Sequence, residues 1–392
     1  MVRTVAAALL AGVLSLAACT TTEPPRRDQA TLDESLRDAV WADDLVGARK
    51  AIDRGADVNA QDATRQSAYL VAASEGRLEL VRLALAHGAE VDARDSWDGT
   101  GLIRAAERGH DLVVGELLRA GIDRDHVNRI GYQAIHEAVW LGQGGPTYVG
   151  TVRALVAGGA QLDRPSGSER LTPLQMAAER GHDSLEEVLV KATTDAAVAR
   201  PDAELLAAAE AGDADRVALA LRAGADMEAR DAQGRTALLV AAASDRLEVA
   251  RLLVTMGASA DALDERHDTP WLVTGVTGSV PMLEVLLVAK PDLTITNRYG
   301  GVSVIPASER GHVDYVRRVV ETDIDVDHVN DLGWTALLEA VVLGQGGTAH
   351  QQVVQALLDG GADPSITDKD GVTALEHART RGYDEIVAIL ER

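Results

Sequence analysis

A glycine-alanine-aspartate triplet, with small variations, recurs along this chain at a fixed step. Gly55-Ala56-Asp57 is followed by Gly88-Ala89-Glu90 and then, after an equal interval, by Gly121-Ile122-Asp123. A step this regular predicts a fold made from one small unit that is repeated many times. One such unit cannot bury its own apolar face, so neighbouring units must stack to form a continuous core.

The residues between the triplets indicate two helices in each unit. Residues 104–110 (RAAERGH) carry an alanine pair and a glycine, and they precede a second apolar stretch that contains Leu112, Val113, Val114, Leu117 and Leu118. Small alanines let the second helix pack closely, and the glycine ends the first helix where a positive φ is needed. Residues 236–242 (TALLVAA) begin another unit in the same way.

On these motifs the chain resembles the ankyrin repeat family from about residue 36 to its C-terminus. The period of that family is about 33 residues, which matches the step from Gly55 to Gly88. The resemblance implies an all-α fold, an α-solenoid of helix-turn-helix units with β-hairpin turns. The composition agrees, because 46% of the residues are hydrophobic while only 3% are aromatic and none is Phe. Thin layers of Ala, Leu and Val therefore do the packing.

The whole array is duplicated at one constant offset, which takes residue 107 to residue 309. Residues 107–110 (ERGH), 125–128 (DHVN) and 141–145 (LGQGG) reappear at 309–312, 327–330 and 343–347. We therefore predict a first array of about five units (residues 36–196), a junction (197–202) and a second array of about six units (203–392), about eleven repeats in all. The sequence leaves open whether the arrays stack as one solenoid or hinge at the junction.

The N-terminus has the pattern of a targeting segment. Residues 1–18 have a basic start and a short apolar core, and residues 16–19 (LAAC) resemble a bacterial lipobox that ends at Cys19. We expect a signal peptide (1–18), a lipidated Cys19, a tether (19–35), and a location in the cell envelope outside the cytoplasm. The alternative is an ordinary secreted protein cut near Ala18. Cys19 is the only cysteine, so no internal disulfide is possible.

The charge limits the partners. The chain has 38 Lys and Arg against 61 Asp and Glu, a net charge of −23, which would repel nucleic acid. Many carboxylates fall in the turns between repeats, where Asp is favoured by local hydrogen bonding. That structural role is the simpler explanation, and the functional one is a partner protein with a basic surface.

The sequence shows little sign of catalytic or metal chemistry. The histidines occupy repeat positions such as His110, His182 and His312, and no HExxH motif is present. Residues 323–327 (DIDVD) resemble the start of a calcium loop, but His328 stands in place of its glycine and Trp334 in place of its final glutamate. We therefore predict no metal, no cofactor and no enzymatic activity.

One unit in each array is longer than the others. The step from Gly121 to Gly159 exceeds the regular step by five residues, and the step from Asp323 to Gly361 does so again. We place the five added residues between the two helices, in Gly-Gln-Gly-Gly loops that contain Gln143 and Gln345. A phosphate loop is disfavoured because no Lys-Ser/Thr follows. The loop is then an enlarged turn or a set of backbone donors for a partner.

Aromatic residues also occur in matching places of the two arrays. Trp97 matches Tyr299 and Tyr132 matches Trp334, all at predicted turn tips, with Tyr148 beside the first Gly-rich loop. These rings either stack on the neighbouring hairpin or anchor a partner, and the sequence does not separate the two roles. A further pair, Tyr69 and Trp271, takes the leucine place of the first helix and should be buried.

Three functions remain open at this point. The first is a protein-binding scaffold anchored in the cell envelope, with a protein partner, the membrane reached only through the lipid, and no nucleic acid. The second is a protein that responds to a small ligand or metal ion through the Gly-Gln-Gly-Gly loops. An enzyme is the third. Resemblance to periplasmic ankyrin proteins implies a weak link to peroxide defence and a catalase-like partner.

Overall fold

The computed structural model describes residues 29–194 and 198–392, and these residues form helices joined by turns. Within the two ranges there are 22 helices and no strand, and the only bridges are the isolated pairs Arg94 with Thr100 and Thr367 with Thr373. The helices come in eleven consecutive pairs. The predicted all-α repeat solenoid is confirmed.

Five helix pairs precede residue 195 and form the first array. They are α1 (Gln29–Trp41) and α2 (Leu45–Asp53), α3 (Ala68–Ser74) and α4 (Leu78–Ala86), α5 (Gly101–Glu107) and α6 (Asp111–Arg119), α7 (Ala134–Trp140) and α8 (Pro146–Ala157), and α9 (Pro173–Arg180) and α10 (Asp183–Thr194).

Six further pairs form the second array. They are α11 (Pro201–Ala211) and α12 (Ala214–Arg222), α13 (Ala237–Ala243) and α14 (Leu247–Met256), α15 (Pro270–Thr277) and α16 (Val280–Leu287), α17 (Val304–Arg310) and α18 (Val313–Val319), α19 (Ala336–Val342) and α20 (Thr348–Asp359), and α21 (Ala374–Arg381) and α22 (Asp384–Leu390).

The local sequence explains where the first helix of a unit begins and ends. The Thr236 hydroxyl accepts the N–H of Leu239 at 3.3 Å, which caps α13. At the other end of a first helix, Gly311 ends α17 with φ of 72°. Between the two ends, alanine pairs such as Ala105 and Ala106 are fully buried, so the neighbouring helices approach closely.

The predicted boundaries shift at two places. Helix α1 begins at Gln29, inside the predicted tether, because Leu32, Leu36 and Val40 recur every four residues and are buried. Helix α11 begins at Pro201, inside the predicted junction of residues 197–202. The predicted signal peptide and Cys19 lie outside the described residues. Within the described ranges, no helix has the length and apolar character needed to cross a membrane.

The first helices of successive pairs pack on one another within each array. In the first array the stack runs through α1, α3, α5, α7 and α9, and in the second it runs from α11 through the odd-numbered helices to α21. Helix α11 packs against α12 and α13, and it makes no comparable contact with α9. The chain is therefore not one continuous solenoid.

The two arrays instead meet through their second helices. Helix α8 packs against α12 and α14, α6 packs against α14, and α10 touches α12. Later helices of the second array contact earlier helices of the first array. The second array therefore folds back along the first. This back-to-back arrangement answers the question that the sequence left open.

Polar contacts support the junction between the arrays. The buried Asp215 of the second array accepts hydrogen bonds at 2.7 Å from Arg153 Nε and from Lys191 Nζ. Burial alone would raise the pKa of Asp215, but the hydrogen bonds from Lys191 and Arg153 outweigh it and hold that pKa below its usual value. At the distant end, Lys290 Nζ lies 2.6 Å from Glu79 Oε2.

A glycine lets the backbones of the two arrays approach closely. A Cβ atom on Gly115 of α6 would lie 2.1 Å from the carbonyl oxygen of Thr255 in α14. Glycine costs about 1 kcal/mol relative to alanine inside a helix, so its presence there indicates a packing requirement.

Candidate functional site

The turn that precedes α5 holds a tryptophan out in solvent. The Asp95 carboxylate is buried and accepts the backbone N–H of Trp97 at 2.8 Å and of Gly99 at 2.9 Å. Arg104 Nε donates to the other Asp95 oxygen at 2.6 Å, which balances the buried charge. Backbone hydrogen bonds and Asp95 hold the turn in place without the Trp97 side chain. That side chain is 61% exposed.

The second array builds the same turn with different residues. Asn297 replaces the aspartate and accepts the N–H of Tyr299 at 2.9 Å and of Gly301 at 3.1 Å. Tyr299 is 53% exposed, and the Arg298 guanidinium lies 4.7 Å from the centre of its ring. The exposure of Trp97 and Tyr299 agrees with the sequence-based placement of both at turn tips.

Each exposed aromatic has an exposed aliphatic residue on the next turn. The N–H of Arg129 donates to the Trp97 carbonyl at 3.1 Å, and the N–H of Asp331 donates to the Tyr299 carbonyl at 2.9 Å. These bonds hold adjacent turns together. Ile130 and Leu332, which are counterparts in the duplication, are 46% and 49% exposed on those turns. We call Trp97 with Ile130 tip pair 1, and Tyr299 with Leu332 tip pair 2.

A buried asparagine and glutamate stand behind each tip pair. Asn128 Nδ2 donates to Glu137 Oε1 at 2.7 Å, and Asn330 Nδ2 donates to Glu339 Oε1 at 2.7 Å. Both glutamates lie on the first helix of the long unit and are at most 5% exposed. The asparagine thus ties the turn to the helix beneath it.

The environment of these carboxyl groups favours their neutral form. Burial raises the pKa of Glu137 to about 7, and the charge of Glu107 adds to the effect. Burial likewise raises the pKa of Glu339 to about 7, together with Glu309. Perturbed carboxyl groups are frequent in functional sites, although networks with a structural role also contain them.

These pKa values predict how stability depends on pH. Between pH 4.5 and about 7 the folded glutamates hold protons that the unfolded chain has released, so stability falls as the pH rises through that window. We expect Glu137→Gln with Glu339→Gln to remove part of this fall and to add about 1–3 kcal/mol per site at pH 8. Urea unfolding at pH 5 and pH 8 measures the difference. The exposed control Glu385→Gln should leave the pH dependence of stability unchanged. A double variant as stable as the wild type at both pH values would contradict the raised pKa values of Glu137 and Glu339.

Tyr132 and Trp334 are not at turn tips, which corrects the sequence prediction. Tyr132 is only 3% exposed, its hydroxyl contacts Glu169, and its ring stacks on that of His136 with the ring centres 5.9 Å apart. Trp334 is half-buried and packs against the core. Both residues lie where the turn enters the first helix, and Tyr132 there reaches Glu169 of the next unit. Tyr69 and Trp271 are buried, as predicted.

Tyr148 packs within the scaffold and does not extend tip pair 1. Its hydroxyl donates to the Glu107 carbonyl at 3.3 Å, and a Cβ atom on Gly142 would lie 2.9 Å from its ring. His350, its counterpart in the second array, takes the same place and lies 3.0 Å from the Glu309 carbonyl. The ring therefore fills the space under the Gly-rich loop and joins it to the preceding unit.

The five added residues are divided between a loop and a helix. The connection of residues 141–145 is two residues longer than that of 108–110 in the preceding unit, and α8 has 12 residues where α6 has 9. The prediction that all five lie between the helices was wrong. Gln143 and Gln345 are exposed on these loops. Tyr383 of the following unit donates to the Gly344 carbonyl at 3.1 Å, so the second loop is packed from both sides.

Several histidines of the repeats bond to backbone carbonyls, whereas His377 bonds the Asp368 carboxylate. Nε2 of His110 lies 3.1 Å from the Ser74 carbonyl, and Nε2 of His328 lies 2.6 Å from the Gly300 carbonyl. Across residues 29–194 and 198–392, no group of three or more His, Cys, Asp or Glu is placed to hold a metal ion.

Sequence reasoning missed the asparagine–glutamate pairs and the aliphatic half of each tip pair. The duplication offset relates Ile130 to Leu332 and Glu137 to Glu339, but it relates the other residues of the arrays equally and does not single these out. The aromatic residues drew attention because few occur in the chain. An aliphatic residue among many carries no such signal until its exposure is known.

A family model for ankyrin repeats in three copies matches most of the chain in overlapping segments. The matched residues are 36–128, 70–164, 205–297, 273–368 and 304–391.

Three similar proteins each match about half of the chain. The putative ankyrin repeat protein YahD of Escherichia coli (strain K12) is 41% identical over 189 residues, which are 48% of this chain and 94% of YahD. An L-asparaginase of Dirofilaria immitis is 27% identical over 47% of this chain, a match that spans only 30% of that protein. A crystal structure of an ankyrin repeat domain from Acinetobacter baumannii AYE is 45% identical, covers 48% of this chain and 95% of that domain, and superposes with a TM-score of 0.47.

Proposed function

We propose that this chain, which belongs to the ankyrin repeat family, is a protein-binding scaffold that is anchored in a bacterial cell envelope and has no catalytic activity of its own. Ankyrin arrays present extended surfaces to protein partners. The observation that carries the proposal is the repeated exposure of an apolar pair, Trp97 with Ile130 in one array and Tyr299 with Leu332 in the other.

The tip pairs have the properties of interface anchors. Their turns are held by Asp95 or Asn297 and by backbone bonds, so the fold gains little from the exposed rings. Large aromatic side chains bury much area on binding and lose little conformational entropy, which is why they dominate interface energetics. Because an exposed aromatic with an exposed aliphatic neighbour occurs at the same place in both arrays, we assign these pairs to a partner.

Removal of the exposed rings tests this function. We expect Trp97→Ala with Tyr299→Ala to weaken partner capture by about 2 kcal/mol or more and to change the free energy of unfolding by less than about 1 kcal/mol. Thermal unfolding and pull-down from the cells that produce the protein measure the two effects. The matched control is Trp41→Ala, since Trp41 is 55% exposed but its counterpart in the second array is Ala243, which is not aromatic. Unchanged capture by the double variant would place the binding surface elsewhere.

The partner surface is expected to be protein and not nucleic acid. The net charge of −23 opposes binding to a polyanion and favours a protein with a basic surface.

The proposed absence of catalysis is supported by the surroundings of the titratable groups. Glu137 and Glu339 are each bonded to an asparagine, and His110 and His328 are bonded to carbonyls.

Anchoring in the envelope is proposed from the N-terminal pattern alone. We expect Cys19→Ala to release the protein from the membrane, because the lipid on Cys19 would be the sole attachment. Cell fractionation followed by detergent extraction measures the change. Recovery of the variant in the membrane pellet at the wild-type level would contradict a lipid anchor at this position.

A further inference from the structure

A cleft of about 200 Å³ lies between the two arrays, beside the helices that join them. Its walls come from α6 and α8 of the first array and from α14 of the second. Pockets for drug-sized ligands are typically about 300–1,000 Å³. The volume of this cleft therefore suits a smaller molecule.

An aspartate with few hydrogen bonds forms part of the cleft wall. Asp111 begins α6, and within the described residues its carboxylate accepts one hydrogen bond, from the N–H of Leu112 at 2.8 Å. Burial raises the pKa of Asp111, and the N–H of Leu112 and the charge of Arg251 offset only part of that effect. A carboxylate has about four acceptor sites, so Asp111 presents unused acceptor capacity to the cleft.

A glycine in the middle of a helix keeps space for this carboxylate. A Cβ atom on Gly150 of α8 would lie 2.8 Å from Asp111 Oδ2. Glycine is a poor helix former, so its presence inside α8 indicates that the space is needed. The counterparts of Asp111 and Gly150 in the second array are Val313 and Gln352. The carboxylate and the space beside it are therefore particular to the first array.

Contact between the arrays does not account for Asp111. Gly115 and Arg153 also belong to the first array, and each meets the second array directly. Gly115 approaches the Thr255 backbone, and Arg153 donates to Asp215. Among the residues that the structure describes, Asp111 forms no hydrogen bond or ion pair with the second array. Its carboxylate therefore serves something other than the packing of the arrays.

The facing wall of the cleft supplies a cation. Arg251 of α14 is exposed, and its Nε lies 3.8 Å from Glu248 Oε1, which is beyond hydrogen-bond distance. The Glu248 carboxylate instead accepts a hydrogen bond from Arg153 at 3.2 Å. Arg153 also donates to Asp215 at 2.7 Å, so its guanidinium is occupied. Of the two guanidinium groups in the cleft, that of Arg251 is the one that can take a further carboxylate.

We propose that this cleft binds a small zwitterion of the α-amino acid type, with the ammonium group of the ligand on Asp111 and its carboxylate on Arg251. Pro146 and Leu252 line the same cleft and offer apolar surface to a short side chain. Because Asp111 and Arg251 belong to different arrays, the ligand would bridge the arrays. The site is separate from the tip pairs and goes beyond the proposed scaffold function, since it makes the junction responsive to a solute.

A ligand-observed NMR titration of the full chain tests the proposal with three related probes. L-Alanine carries both charged groups, propionate lacks the ammonium group, and ethylammonium lacks the carboxylate. We expect L-alanine to bind with a Kd of about 1 mM or below, which a ligand of about six heavy atoms can reach. Propionate and ethylammonium should each bind about tenfold more weakly or worse, because each loses one charge-assisted contact.

Two variants assign the charged groups of the site. Asp111→Asn should weaken L-alanine binding about tenfold and leave propionate binding unchanged, since propionate has no ammonium group. Arg251→Gln should weaken L-alanine binding by a similar factor and leave ethylammonium binding unchanged. The matched control is Asp384→Asn, which removes an exposed carboxylate from the first position of α22 and should leave all three affinities as they are. Melting temperatures of the variants show whether each is folded.

The outcomes that would overturn the proposal are distinct. Equal affinities for the three probes would show that the two charges of the ligand are not read together. Absence of binding by L-alanine, glycine and L-serine at about 10 mM would exclude a site for small amino acids. Wild-type affinity for L-alanine in a folded Asp111→Asn or Arg251→Gln variant would show that the ligand does not lie between these two residues.

Discussion

Replacement of Gly115 with arginine should separate the two arrays while each array stays folded. A side chain at this position would collide with the Thr255 backbone, whose oxygen lies 2.1 Å from the ideal Cβ position. Backbone atoms cannot move aside as a flexible side chain does, so the cost falls at the upper end for overpacking, about 3 kcal/mol or more. Arginine is also a better helix former than glycine, so α6 itself should not unfold. Small-angle X-ray scattering would then show a larger radius of gyration.

The duplicated sequence offers a matched control for this variant. Arg317 occupies the position of Gly115 in the second array and is exposed. Arg317→Gly should leave the shape of the molecule as it is and cost only the helix propensity, about 1 kcal/mol. An unchanged radius of gyration in Gly115→Arg would contradict the back-to-back junction.

Replacement of Tyr132 with alanine should cost about 3–5 kcal/mol of stability, the range for a large buried aromatic side chain. The ring is almost fully buried, stacks on His136 and carries its hydroxyl to Glu169 of the next unit. Its removal leaves a cavity between two units and takes one donor from the Glu169 carboxylate, which keeps the Ser166 hydroxyl at 3.2 Å. Urea unfolding measures the loss.

Trp97→Ala is the control for the stability loss of Tyr132→Ala. Trp97 is larger than Tyr132 and lies on the adjacent turn, but it is 61% exposed, so its removal should cost less than about 1 kcal/mol. Equal losses in the two variants would show that the exposed ring contributes to the fold, and that the distinction between Tyr132 and tip pair 1 is wrong.

The unit and its repetition could be predicted from the sequence because each unit contacts mainly its neighbours. The glycine of Gly88-Ala89-Glu90, the cap Thr236 and the alanine pair at 105 and 106 act within one unit or between adjacent units. Their effect is local, and the regular step from Gly55 to Gly88 to Gly121 displays it directly. The duplication was visible for the same reason, since it repeats the same local motifs in the same order.

The burial of the aromatic residues could not be predicted so well. Tyr132 and Trp97 both precede a first helix and both follow a polar turn. What separates them is their place in the unit, because Tyr132 directly precedes the helix-capping Gln133 whereas Trp97 stands three residues before the capping Thr100. At the position of Tyr132 the hydroxyl also meets Glu169 of the next unit, 37 residues further along the chain.

The sequence by itself determined the ankyrin-type unit, the number of units and the duplication, because these follow from short-range periodic packing. The tertiary structure alone decided that the two arrays lie back to back, since Gly115 and Thr255 belong to different arrays and neither the repeat step nor the duplication offset relates them. It also decided which apolar side chains are left in solvent, because the exposure of Ile130 or Leu332 depends on how far each neighbouring turn reaches over it.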